Sequence, residues 1–220
     1  KESEAVVLVL GLDETVEGEE MFGGSDEFAN GDKKTLLLPS NQRELLDAVL
    51  AVGKPTTVVL LSGSALAVDD DRIDALVQAW YPGAVGGQAV GELLFGAYSP
   101  SGRLPDTVAR RAGDYPSAPN FGGLTKNVYQ EDIYVGYRYF ETVAPDKVLY
   151  PFGFGLSYTG FSLHLEHFEK RAHSLSLQVS VENTGNLPGK EVVQVYGSAP
   201  QGLLGKAARV LLGFCKTETL

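Results

Sequence analysis

Apolar residues follow two different rhythms along this chain. Up to about residue 108 they come in short unbroken runs and in stretches spaced three and four apart; beyond residue 158 they alternate with polar residues. The first run, residues 5–12, is rich in Val and Leu and predicts a strand covered on both faces of a parallel sheet. Residues 14–34 form a polar, glycine-containing connection, long enough that in a compact domain it is expected to carry function or disorder. In Pro39-Ser40-Asn41-Gln42-Arg43-Glu44, Asn41 is the expected helix cap and Glu44 its capping-box partner, followed by Leu45, Leu46, Val49 and Leu50 at helical spacing. Gly53 and Pro55 end that helix. Residues 56–61 repeat the buried-strand pattern, and Ile73, Leu76, Val77 and Trp80 predict a second helix. A third is expected over residues 84–95, with Val85, Ala89, Val90, Leu93 and Leu94 inward.

From residue 109 to 155 the helical period fades into Gly, Pro and aromatic residues. Then Phe161, Leu163 and Leu165 alternate with polar residues, as do Leu175, Leu177, Val179 and Val181, and Asn183-Thr184-Gly185-Asn186 supplies a turn before residues 192–196. Such strands have one wet face and suggest a β-sandwich. The expected fold class is therefore α/β: an α/β sandwich domain at 1–108, a linker packed on it at 109–158, and an incomplete β-sandwich at 159–220. No internal repeat or low-complexity tract interrupts this plan. Both ends of the sequence fall beside strand-like segments and read as cuts through a longer protein.

Composition narrows the partners. At 220 residues and 44% apolar content the chain can bury a sizeable core. A formal net charge of -10 repels phosphate backbones, so no nucleic-acid partner is expected. The longest apolar run has eight residues, against about 20 needed to span a bilayer, so no membrane partner is expected either. Cys215 is the only cysteine and leaves the compartment open.

The densest acid cluster, Asp13, Glu14, Glu17, Glu19 and Glu20, lies in the loop after the first strand. In open α/β sheets ligands bind where loops leave the carboxyl ends of strands. Cleaving a glycosidic bond needs a carboxylic acid to protonate the departing oxygen, and crowded carboxylates raise one another's pKa. On residue types alone a solvated acidic loop still outweighs a catalytic one. The other candidates favour structural roles: Trp80 and Tyr81 could stack on a sugar, but Trp80 continues an apolar stripe and reads as core packing. Arg103 reads as one half of an ion pair rather than a substrate ligand. Gly83-Ala84-Val85-Gly86-Gly87 lacks the Lys-Ser/Thr ending of a P-loop, and its glycines read as helix packing. His164, His167 and His173 have no metal-ligand spacing, and Ser157 sits in no nucleophile elbow. No metal, cofactor or serine-type triad is expected.

An ordered set of motifs adds what the acid cluster lacks. Gly11-Leu12-Asp13, Glu17-Gly18-Glu19, Asp32-Lys33 and Leu36-Leu37-Leu38-Pro39 with Gln42 resemble the second domain of glycoside hydrolase family 3. So do Ala79-Trp80-Tyr81-Pro82-Gly83 with Gly86-Gly87, and Leu94-Phe95-Gly96 with Pro100-Ser101-Gly102-Arg103-Leu104-Pro105. Tyr134-Val135-Gly136-Tyr137-Arg138-Tyr139 and the stretch from Pro151-Phe152-Gly153 to Ser157-Tyr158-Thr159 resemble the segment that follows that domain. Val181-Glu182-Asn183-Thr184-Gly185 and Gly189-Lys190-Glu191-Val192-Val193-Gln194-Val195-Tyr196 resemble the family's fibronectin type III-like domain. The resemblance implies a retaining, exo-acting β-glycosidase whose aspartate nucleophile lies on a preceding (β/α)8 barrel, absent from this sequence, and whose acid/base is a glutamate of the second domain. A β-glucosidase is the leading expectation, with a β-xylosidase or a non-catalytic carbohydrate-binding unit as the alternatives. Glu19 falls at the acid/base position, with Glu17 and then Glu20 as alternatives. The family's Asp-Arg pair reads Asp32-Lys33 here and stands behind the insertion 21–31. The implied partners are a glycoside or oligosaccharide and the barrel.

Overall fold

The computed structural model describes residues 2–18, 28–29, 32–123 and 125–220, with the backbone alone at 28 and 29. In chain order its elements are β1 (Val6–Gly11), β2 (Phe28–Ala29), β3 (Asp32–Lys33), α1 (Ser40–Leu50), β4 (Thr56–Leu61), β5 (Ala75–Gln78) and α2 (Gly86–Leu94). These are followed by β6 (Val108–Ala109), α3 (Tyr137–Val143), β7 (Val148–Tyr150), β8 (Phe161–Lys170), β9 (Leu175–Asn183), β10 (Val192–Gly197) and β11 (Val210–Lys216). They divide into two units, Lys1–Gly87 with Thr107–Tyr150, and Gln88–Asp106 with Pro151–Leu220.

The first unit is built on a three-stranded parallel sheet ordered β1-β4-β5. Central β4 is buried on both faces, with Val58, Val59 and Leu60 almost fully covered, which is what its unbroken apolar run demands. Each such side chain removed from water contributes about 1.5–3 kcal/mol. α1 lays Leu46 and Leu50 on one face of the sheet, where they join Leu10, Leu12, Leu38, Val58, Leu60, Leu66 and Val68 in one cluster. Strand β1 departs from the expected burial on both faces: it alternates, with Leu8 and Leu10 inward while Val7 and Val9 stay 53% and 54% exposed. Only the face that carries Leu8 and Leu10, the one α1 covers, is shared with the core.

Residues 73–80 are a second correction. The expected helix is strand β5, paired in parallel with β4 from Thr57↔Ala75 to Leu60↔Gln78. A four-residue run is too short for its period to separate helix from strand, and the open side of β4 decides. Asp74 fixes the register: its Oδ2 accepts the Thr56 amide at 2.8 Å, and its own amide donates to the Thr56 carbonyl at 3.1 Å. The cap of α1 also differs. The helix begins at Ser40 behind Pro39, whose carbonyl receives the amides of Gln42 and Arg43 at 3.0 Å, while Asn41 Oδ1 accepts from the adjacent Gln42 amide. At the other end Gly53, at φ +70°, donates to the Leu50 carbonyl, a conformation glycine adopts without strain. The third expected helix forms as α2, but Val85 precedes it and points to solvent.

Residues 107–150 complete this unit. β6 and β7 pair antiparallel, and α3 buries Phe140, which Tyr115 and Tyr139 meet edge-on at ring-centroid distances of 5.4 and 5.3 Å. Tyr150 donates its hydroxyl to the Val68 carbonyl at 2.9 Å, and Arg110 pairs with Asp69 at 2.9 Å.

In the second unit the alternating segments form two antiparallel ladders, β8 with β9 and β10 with β11, each with one register shift. The Asn183 turn is held from several sides: Oδ1 accepts from Thr159 Oγ1 and the Gly185 amide, and Nδ2 donates to the Leu187 carbonyl. Arg103 is bound to Glu191 at 2.6 Å, both side chains mostly shielded from water, in line with the ion-pair reading.

Candidate active site

The carboxyl ends of β1, β4 and β5 converge on one polar network, and its first fixed point is Gly11. A Cβ at this position would lie 1.8 Å from the Leu61 carbonyl oxygen, so the last residue of β1 must be glycine. Gln42 of α1 grips the same residue by both backbone groups, accepting its amide at 2.9 Å and donating to its carbonyl at 2.7 Å. This side-chain amide substitutes for a strand neighbour and ties the exit of β1 to the helix. The Leu12 amide then donates to the Leu61 carbonyl at 2.7 Å, holding the two strand exits together.

Asp13 shapes the turn that follows. Its Oδ1 accepts from the Thr15 amide at 2.9 Å and the Thr15 hydroxyl at 2.6 Å, and its carbonyl receives the amides of Val16 and Glu17. The Thr15 hydroxyl, then the Thr15 amide, hold the Asp13 carboxyl below its usual pKa. Crowding was expected to push carboxyls of this loop upward; at Asp13 the shift runs the other way, set by hydrogen bonds from Thr15. Asp13 is therefore a turn former, unsuited to serve as a protonated acid.

One helical step later Glu17 faces the exit of β4. Its carboxylate accepts from Ser64 Oγ, at 2.9 Å to Oε1 and 3.2 Å to Oε2. Lys33, at the end of β3, donates its Nζ to the Ala65 carbonyl at 2.7 Å. Burial lowers the Lys33 pKa, and the negative charge of Glu17 opposes that shift. Behind them Ser62, fully buried, donates Oγ to the Ser64 carbonyl at 2.8 Å and accepts from Gln78 Nε2 at 3.2 Å, so the chain reaches back into β5. Glu14 stands exposed on the turn. Glu19 and Glu20 lie outside the described residues.

The aromatic candidates follow strand β5 rather than lying on a helix. Trp80 follows β5 with φ +56°, a left-handed conformation that costs a bulky residue of order 1–3 kcal/mol. It is half-buried, and because residues 75–78 are a strand, the helix stripe it was expected to continue is not there. Tyr81 is 54% exposed and lies over Gly63, where an added Cβ would come 2.7 Å from its ring. Gly86 backs onto Pro82 with no space for a Cβ, in keeping with a packing role for that glycine. In the second unit Ser157 shares a hydrogen bond with Ser99 at 2.7 Å.

Sequence reasoning found the acid cluster and Gln42 but gave no role to Ser62, Ser64, Gln78 or Lys33. The available signal was Ser62-Gly63-Ser64 directly after a fully buried strand, polar residues placed at a carboxyl end.

Comparison with known proteins gives this geometry a context. Residues 1–158 match the family described as glycosyl hydrolase family 3 C-terminal domain. Over 153 residues the chain is 48% identical to a beta-glucosidase of Ruminococcus albus, an alignment covering 70% of this chain and 16% of the relative. Over 195 residues it is 37% identical to a xylan 1,4-beta-xylosidase of Xylanibacter ruminicola, covering 87% of this chain and 21% of the relative. The crystal structure of a beta-glucosidase from Paenibacillus barengoltzii superposes with a TM-score of 0.87 at 40% identity, over 99% of this chain and 24% of that one. The chain thus spans about a quarter or less of the length of these proteins.

Proposed function

Since this chain belongs to glycosyl hydrolase family 3, whose C-terminal domain accounts for residues 1–158, we propose that it supplies the acid/base half of a retaining, exo-acting β-glucosidase. The observation that carries this reading is the anchored exit of β1. An acidic loop leaves the carboxyl edge of a parallel sheet with its first turn closed by Asp13 and its Glu17 fastened to Ser64. Glu19, two residues further on, is the acid/base; Glu17, already engaged by Ser64, holds the loop. The nucleophile is an aspartate on a (β/α)8 barrel elsewhere in the same protein.

In the first step that aspartate attacks the anomeric carbon, the glycosidic C–O bond breaks, and Glu19 gives its proton to the leaving oxygen. In the second, Glu19 as carboxylate takes a proton from water, the water oxygen bonds the anomeric carbon, and the aspartate is released. The domain arrangement that goes with this reading is an α/β sandwich over 1–108, a linker over 109–158 and a fibronectin type III-like β-sandwich over 159–220.

The likeness to a xylosidase favours β-xyloside as the rival substrate. Hydrolysis of aryl β-glucoside and aryl β-xyloside by the protein carrying both this chain and its barrel decides between them. A kcat/KM higher on the glucoside is expected; the reverse order makes the protein a β-xylosidase. Inactivity on both, with sugar binding retained, overturns the catalytic reading in favour of a carbohydrate-binding unit.

A further inference from the structure

We propose that Ser64 and Lys33 are positioning residues that clamp the two stems of the acidic loop to the exit of β4 and so set the aim of the acid/base. This rests on the reading of Glu19 above. The loop leaves β1 at Gly11 and returns through β3 to α1, and both of its stems are tied to the same short stretch after Leu61. On the outgoing stem Glu17 is held by Ser64; on the returning stem Lys33 is held by the Ala65 carbonyl, and the Leu36 carbonyl accepts the Ala67 amide at 2.7 Å. The stretch they grip is itself locked, because Ser62 joins the Ser64 carbonyl to Gln78 of β5. Displacing either stem therefore means breaking charge-assisted hydrogen bonds rather than rotating a free loop.

Two features separate this clamp from ordinary fold stabilisation. A partly buried ammonium is costly to desolvate, in line with the lowered proton affinity of Lys33, and an apolar side chain would fill its place without that cost. The residue that Ser64 holds is also two positions from the proposed acid/base, close enough in sequence for a displaced Glu17 to carry Glu19 with it. Misplacing a catalytic group by about 1 Å costs on the order of 10²-fold in rate.

The test uses the barrel-containing protein with Ser64→Ala, Lys33→Met and the conservative Lys33→Arg. Each is assayed on an alkyl β-glucoside, whose leaving group needs acid, and on a dinitrophenyl β-glucoside, which does not, with and without azide. Ser64→Ala and Lys33→Met are expected to lower kcat/KM on the alkyl glucoside about 10- to 100-fold while sparing it on the activated one. The activated substrate should show a lower kcat that azide raises, and Lys33→Arg should recover most of the loss. Ser64→Ala removes a single oxygen and keeps the test alive if Lys33→Met does not fold. Equal losses on both substrates with no azide effect, or wild-type rates, overturn the clamp. Glu19→Gly run alongside separates the two readings. Azide rescue there with unaltered Ser64→Ala and Lys33→Met rates overturns the clamp alone; absence of rescue overturns the acid/base assignment and the clamp with it.

Discussion

Gly11 and Lys33 show how much of the site depends on single residues, one by having no side chain and one by partly burying a charge. At Gly11 a methyl group would occupy the position of the Leu61 carbonyl, so Gly11→Ala must push β1 from β4 and release Gln42. The expected cost is about 3 kcal/mol, read as a fall in urea midpoint. A change under ~0.5 kcal/mol would mean the strands can separate freely there. For Lys33 the sign follows from its lowered pKa. Between that value and 10.5 the unfolded chain holds the proton more tightly than the folded one, so raising the pH through this window favours folding. Stability of wild type relative to Lys33→Met should therefore rise as the pH is raised toward 10.5; parallel profiles would show that Lys33 is as solvated folded as unfolded. Neither residue's role was legible in the sequence. Gly11 stood out only as part of a motif, and Lys33 as half of an altered Asp-Arg pair, because both roles are created by a neighbour distant in the chain.

At the scale of elements, β4 was the most legible: its unbroken run of Thr, Val and Leu predicts a strand covered on both faces, and Val58, Val59 and Leu60 are so covered, whereas the similar run of β1 is covered on one face only. Leu60→Ala there should cost roughly 2–5 kcal/mol by denaturant unfolding, and a loss below 1 kcal/mol would place β4 at the surface. β5 was not legible because its apolar residues fit either period, and its state is chosen by the free edge of β4 and the Asp74 contacts to Thr56. The sequence pattern also missed β6, β7 and α3, too short for any period to show, and held together by long-range contacts such as Tyr150 to Val68. The strands of the second unit were read from alternation and do pair as antiparallel ladders. Alternation specifies which residues share a face, but not what covers that face.

For the whole molecule, the family membership accounts for residues 1–158, and the relatives compared are four or more times as long as the part matched by this chain. On the proposed reading the nucleophile lies on another domain, and one carboxyl group without it cannot form the covalent intermediate, so this chain by itself should not turn over an aryl β-glucoside, whereas a protein carrying both should. Steady turnover by the isolated chain would contradict a site shared between domains. The proposed acid/base role of Glu19 rests on the motif Glu17-Gly18-Glu19 and the anchoring of Glu17 by Ser64. The most direct measurement is hydrolysis of an activated aryl β-glucoside by the barrel-containing Glu19→Gly variant, with and without azide. Slow release of the glycosyl-enzyme in water is expected, with recovery in azide and glycosyl azide as product. Near wild-type hydrolysis without azide would contradict it and move the role to Glu17 or Glu20.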